Sequence, residues 1–125
     1  MNAVGNQGIR FGRIAAMLPV NDIQRAHDFY ATALGFEKTF ENGDPVGFMI
    51  LKRDDAELHL TLQPGHEAAP FNVAHMMVHD VDAVHAICQR FGLRIIKRLQ
   101  DKAYGLRAFV FEDPDGNRID VGQPI

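Results

Sequence analysis

The chain has no serine, a single cysteine and no apolar run of bilayer length. Without serine there is no Gly-x-Ser-x-Gly elbow and no Ser-His-Asp nucleophile, so hydrolases of that class are excluded. One cysteine, Cys88, leaves no intrachain disulfide and no cysteine-based zinc cluster. It sits beside Ile87 in a helical pattern and reads as a small buried apolar residue rather than a reactive thiol. No segment approaches the roughly 20 apolar residues needed to cross a bilayer, and Met1–Asn6 lacks a basic stretch followed by an apolar one. The expectation is a cytoplasmic protein without membrane contact. Thirteen Lys and Arg against sixteen Asp and Glu give a net charge of -3. The basic residues are scattered, which argues against an electrostatic grip on nucleic acid. No glycine-rich strand-to-helix motif is spaced for a dinucleotide or a nucleotide phosphate.

What is present is 46% hydrophobic and 23% charged sequence over 125 residues, enough for one domain with a real core. From Asp22 to Leu34, the residues Ile23, Ala26, Phe29, Tyr30, Ala33 and Leu34 recur at helical spacing. Asn21 or Asp22 can cap the start and Gly35 can end the helix in the left-handed region. Ile14–Val20 precedes it as an edge strand that tolerates Pro19. Phe36–Phe40, Gly47–Lys52 and Leu58–Gln63 follow as short β runs divided by turn residues. After Pro64–Pro70 the pattern restarts, with a strand at Val73–Val78, a helix at Asp80–Phe91 closed by Gly92, and strands at Leu93–Leu99, Leu106–Phe111 and Arg118–Val121.

The repeat holds residue by residue. Val20-Asn21-Asp22-Ile23 matches Val78-His79-Asp80-Val81, His27 matches His85, Gly35-Phe36 matches Gly92-Leu93, and Leu58-His59-Leu60 matches Ile119-Asp120-Val121. The chain therefore reads as α+β: two tandem βαβββ modules about a pseudo-twofold, each a curved mixed sheet with one helix, forming a cleft. Residues 1–10 read as a flexible tail, 11–63 as the first module, 64–71 as a linker and 72–125 as the second module. Asp113-Pro114-Asp115-Gly116-Asn117 clusters carboxylates but has the composition of a turn, not of a calcium loop.

Val20–Ile23 with Phe29-Tyr30 and Leu34-Gly35-Phe36, Val78–Asp82, and Phe111–Asp120 together resemble the vicinal oxygen chelate superfamily. That group includes glyoxalase I, extradiol dioxygenases and bleomycin-resistance proteins. Phe48–Arg53 and Tyr104–Phe109 look most like the bleomycin-resistance branch. The resemblance implies a homodimer whose clefts hold a small organic, antibiotic-like molecule without altering it.

Enzymes of the superfamily place metal ligands on the first and last strands of each module. By that correspondence the four positions are Ala15, His59, Val73 and Asp120, of which only His59 and Asp120 can ligate. The resemblance thus implies a binding protein with no cofactor. The alternative is a metal-dependent lyase, isomerase or dioxygenase holding one divalent ion through a displaced set, His59, His75 and Asp120, since His75 shares a strand face with Val73. Alternation from His59 and Asp120 adds Thr61 and Arg118 to the expected ligand-binding residues, and His75 and Met77 line the opening strand of the second module. Tyr104 joins this set, and Phe48, Phe109 and Phe111 are further candidates for apolar walls. His27, His66, His79 and His85 read as solvated residues on helices and turns.

Overall fold

A computed structural model describes Gly5 and residues 7–125. Ten elements follow one another as β1 (Ala16–Val20), α1 (Ile23–Leu34), β2 (Glu37–Gly43), β3 (Val46–Arg53), β4 (Ala56–Leu62), β5 (Asn72–Met77), α2 (Val81–Arg90), β6 (Ile95–Asp101), β7 (Leu106–Glu112) and β8 (Arg118–Pro124). They form two four-stranded sheets ordered β1-β4-β3-β2 and β5-β8-β7-β6. In each, the first strand pairs parallel with the last and the remaining pairs are antiparallel. This is the tandem βαβββ arrangement that the repeat implies.

Local chemistry sets the helix ends. Asp22 caps α1 by accepting from the Arg25 backbone N–H at 3.0 Å, and Asp80 caps α2 by accepting from Ala83 at 3.0 Å. Gly35 and Gly92 both take positive φ, 69° and 67°, to turn the chain out of each helix. Pro19 lies on β1, an edge strand of its sheet, where one missing N–H disturbs no ladder. Among the described residues no helix is long and apolar enough to cross a membrane.

The expected boundaries shift in places. β1 begins two residues later than Ile14, and residues 9–15 form neither helix nor strand. Of the expected tail, residues 1–4 and 6 lie outside the described residues. β2 runs on to Gly43 with every residue exposed, and its edge carries the Lys38–Glu41 pair at 2.6 Å. Exposed charge of this kind deters further strands from pairing there.

Both helices pack onto one shared core. Leu18, Val20, Leu58 and Leu60 from the first sheet meet Phe109, Phe111, Ile119 and Val121 from the second, with Tyr30 and Val81 from the helices. Phe109 and Phe111 are fully buried here, so they are core residues and not walls of an open cleft. Ala108 and Val110, which alternate with them, are buried as well, so the strand shows no alternation of covered and open residues. Cys88 is likewise fully buried.

The Asp113–Asn117 turn binds the modules together. Its Asp113 Oδ1 accepts from the backbone N–H groups of Asp115 and Asn117, both at 2.9 Å, which is the turn chemistry the sequence shows. The same turn also reaches the first module. Asp115 Oδ1 accepts from the Asn21 backbone N–H and from the Arg25 guanidinium, both at 2.8 Å, and Asn117 donates to the Pro19 carbonyl at 2.9 Å.

Candidate functional site

Each sheet turns one face to its helix and the other outward. On β4 Leu58 and Leu60 are buried, so His59 and Thr61 point outward together with Glu57. On β8 Ile119 and Val121 are buried, so Arg118 and Asp120 point outward, and on β5 His75 and Met77 do the same. The register places Met17 opposite His59 in the first module and His75 opposite Asp120 in the second. The repeat is therefore preserved in the outward faces, with Met17 where the second module has His75.

The outward face of the first sheet is aromatic. Phe40 and Phe48 meet edge to face with ring centroids 6.2 Å apart, and Phe48 meets the His59 ring at 5.4 Å and 85°. Register explains the row, because Phe48 pairs with Thr61 and Ile50 pairs with both His59 and Phe40. His59 donates from Nε2 to Glu57 Oε2 at 2.7 Å, and Arg13 donates to the other carboxylate oxygen at 2.7 Å. These hydrogen bonds, His59 first, hold the Glu57 carboxyl below its ordinary pKa. A depression of about 530 Å³ opens beside this row, lined by Met17, Pro19, Thr61 and the Gln63–His66 segment.

The outward face of the second sheet is polar and thioether-rich. His75 Nδ1 lies 2.7 Å from Asp120 Oδ2, and its Nε2 lies 3.1 Å from the Met77 sulfur. Both side chains rest over Gly122, where a Cβ would meet His75 Cε1 at 3.4 Å and the Met77 sulfur at 3.6 Å. His75 and Met77 also line a cavity of about 310 Å³ that includes Ile14 and Glu57.

The structure brings His75, Met77 and Asp120 together, with Arg118 on the same strand face as Asp120, and sets His59 and Thr61 on the other sheet. Tyr104 stands apart, in the turn between β6 and β7 and 69% exposed. Glu57 and Phe40 escaped the sequence reading, although the period of two that picked out Thr61 beside His59 also picks out Glu57. Two histidines differ from expectation. His85 packs edge to face on Phe109 at 4.9 Å, and His66 buries an Nε2 without a hydrogen-bond partner.

The superfamily's metal position gathers no donor set within the described residues of one chain. Among the described residues no three His, Cys, Asp or Glu side chains converge to hold a metal. The displaced set of His59, His75 and Asp120 is not assembled within the chain, because His59 turns to Glu57 on the first sheet while Asp120 engages His75 on the second.

The paired βαβββ sheets with outward-facing polar and aromatic rows define a class of protein that comparison makes specific. The model of the Glyoxalase/Bleomycin resistance protein/Dioxygenase superfamily matches residues 10–121, and the chain belongs to that superfamily. Among solved structures, a bleomycin resistance determinant encoded on transposon Tn5 is 25% identical with a TM-score of 0.76, covering 91% of this chain and 98% of that one. TnmS3, an antibiotic-binding protein from Streptomyces sp. CB03234, is 25% identical with a TM-score of 0.68, covering 94% and 100%. The bleomycin-binding protein of Streptomyces verticillus, solved with copper(II)-bleomycin, shares the fold at 23% identity and a TM-score of 0.72, covering 94% and 99%. No curated protein sequence matches the chain.

Proposed function

We propose that the chain binds, without chemical conversion, a small antibiotic-like organic molecule with a planar aromatic part. The observation that carries this reading is the Phe40–Phe48–His59 row on an outward sheet face, where rings already arranged edge to face offer a flat ligand a stacking surface. Asp120 and Arg118 supply charged hydrogen-bonding groups on the second sheet, suited to orienting a polar or cationic substituent. The bleomycin resistance determinant and the antibiotic-binding protein among the similar structures support the ligand class.

A homodimer is part of the reading. Each outward face is a single open surface, and Met17, Phe40 and Met77 on these faces are 59%, 51% and 47% exposed. Setting the first sheet of one copy against the second sheet of another would cover them and enclose a ligand between an aromatic and a polar wall. The one thiol, Cys88, fits a reducing compartment, and we place the protein in the cytoplasm.

The test is calorimetric titration with bleomycin and with planar aromatic antibiotics, paired with light scattering. Saturable binding, a mass near twice that of the chain and recovery of unmodified ligand are the expected results. Phe48→Ala should weaken binding by about 1–3 kcal/mol through loss of stacking area, and Asp120→Asn should weaken a cationic ligand by a similar amount. Wild-type affinity in both variants would refute the placement of the site, and turnover of the ligand would refute the binding role.

A further inference from the structure

Glu57 fixes where the proton of His59 sits. Its carboxylate only accepts, and it takes one bond on each oxygen: His59 Nε2 at 2.7 Å on Oε2 and the Arg13 guanidinium at 2.7 Å on Oε1. These bonds, His59 first, hold the carboxyl below its ordinary pKa, so Glu57 stays ionised and has no proton to offer. The imidazole therefore keeps its proton on Nε2, and in the neutral ring Nδ1 is left as a bare acceptor. Among the described residues Nδ1 has no hydrogen-bond partner, and it remains open to solvent.

We propose that His59 Nδ1 sets the selectivity of the aromatic face by accepting a hydrogen bond from a hydroxyl on the ligand's planar ring, so that the ligand is a phenol-bearing aromatic. The proposal rests on the aromatic-ligand reading above and names the substituent that the site demands. The Phe48 ring meets both Phe40 and His59, with centroids 6.2 and 5.4 Å away, so a ring stacked along this row brings its edge to the imidazole. Phe48, perpendicular to the imidazole at 85°, and Glu57 at Nε2 together restrain the imidazole from turning over. An ether or ketone in place of the hydroxyl sets lone pair against lone pair at Nδ1 and loses the bond. Thr61, the next outward residue of β4, does not discriminate, because its hydroxyl both donates and accepts. Glu57 acts through the imidazole and is a positioning residue.

The experiment compares 2-naphthol with 2-methoxynaphthalene by titration at about pH 8, where an ordinary imidazole is neutral. Wild type should prefer the naphthol by about three- to tenfold. In Glu57→Gln the Arg13 guanidinium, which only donates, keeps the amide oxygen on its own side and turns the NH₂ group toward His59 Nε2. The ring proton then moves to Nδ1, and the preference should vanish or reverse. His59→Phe, which keeps an aromatic edge without an acceptor, should bind the two probes equally. Circular dichroism verifies that both variants are folded. Nitrogen-15 NMR of the imidazole reads the tautomer in the free protein: a protonated Nε2 and a bare Nδ1 in wild type, the reverse in Glu57→Gln. A protonated Nδ1 in wild type, equal affinity of wild type for the two probes, or an undiminished naphthol preference in folded Glu57→Gln would each overturn this proposal and leave the aromatic site standing. Binding of neither naphthalene to wild type would overturn the aromatic site itself, and this proposal with it.

Discussion

The Tyr30 hydroxyl donates to Asp113 Oδ2 at 2.7 Å, joining the helix of the first module to the turn between the last two strands of the second. Tyr30 is 2% exposed and Asp113 4% exposed, so water replaces neither partner. Burial, followed by the Asp113 charge, raises the Tyr30 pKa well above its ordinary value, and burial also raises that of Asp113.

Tyr30→Phe removes a buried donor and leaves the Asp113 carboxyl short of a partner. The expected cost is about 1–3 kcal/mol at neutral pH, measured from urea unfolding midpoints. Asp113→Asn in the Tyr30→Phe background should add less than Asp113→Asn does alone, because the two groups share one interaction. Strict additivity of the two changes would show that the hydroxyl and the carboxylate are not coupled.

Alkaline pH should weaken the fold through Cys88 before Tyr30 contributes. Burial pushes the Cys88 thiol up to about 11 from its ordinary 9.0. A group whose folded pKa is raised contributes stability that is complete below its unfolded value and is lost as pH rises through its folded value. The unfolding midpoint should therefore begin to fall above pH 9 and continue falling toward 11, with the Tyr30 contribution declining from pH 10 upward. Cys88→Ala should flatten the part between about pH 9 and 10. An unaltered slope in that variant would count against burial of the thiol.

Gly116→Ala should destabilise the turn that joins the modules. Gly116 has φ 82°, and a Cβ built there would lie 2.7 Å from the Ala68 Cβ. The backbone strain alone costs about 1–3 kcal/mol, and the clash adds to it. Gly116→Ala with Ala68→Gly should recover the clash and keep the strain, so thermal unfolding of the double variant should fall between the wild type and the single variant. Equal stability of wild type and Gly116→Ala would mean that the turn relaxes freely.

The fold was legible because its signals are local. Asp22 and Gly35 mark a helix on their own, and Leu58-His59-Leu60 alternates whatever surrounds it. Residues that point outward on β4 and β8 were legible for the same reason, since a polar residue between two buried ones has only one side to take. β7 was not, because Ala108, Phe109, Val110 and Phe111 are apolar in succession and all four are buried, so the strand has no alternation to read. The partners of Asp115 and Asn117 were also hidden. Turn chemistry accounts for every residue of Asp113–Asn117 locally, and Asn21 and Pro19, 94 and 98 positions away, leave no trace in the turn's own composition. Glu57 was accessible by alternation, but its second partner, Arg13, lies in a segment with no periodicity.

The Asp113–Asn117 turn also fixes an order of events during synthesis. The first four strands and their helix are complete once residue 62 has been made, yet the Tyr30 hydroxyl, the Asn21 amide and the Pro19 carbonyl wait for partners 83, 94 and 98 positions downstream. A nascent chain halted before residue 113 thus holds its sheet without the groups that close its end. The half that emerges first from the ribosome is sealed by the half that emerges last.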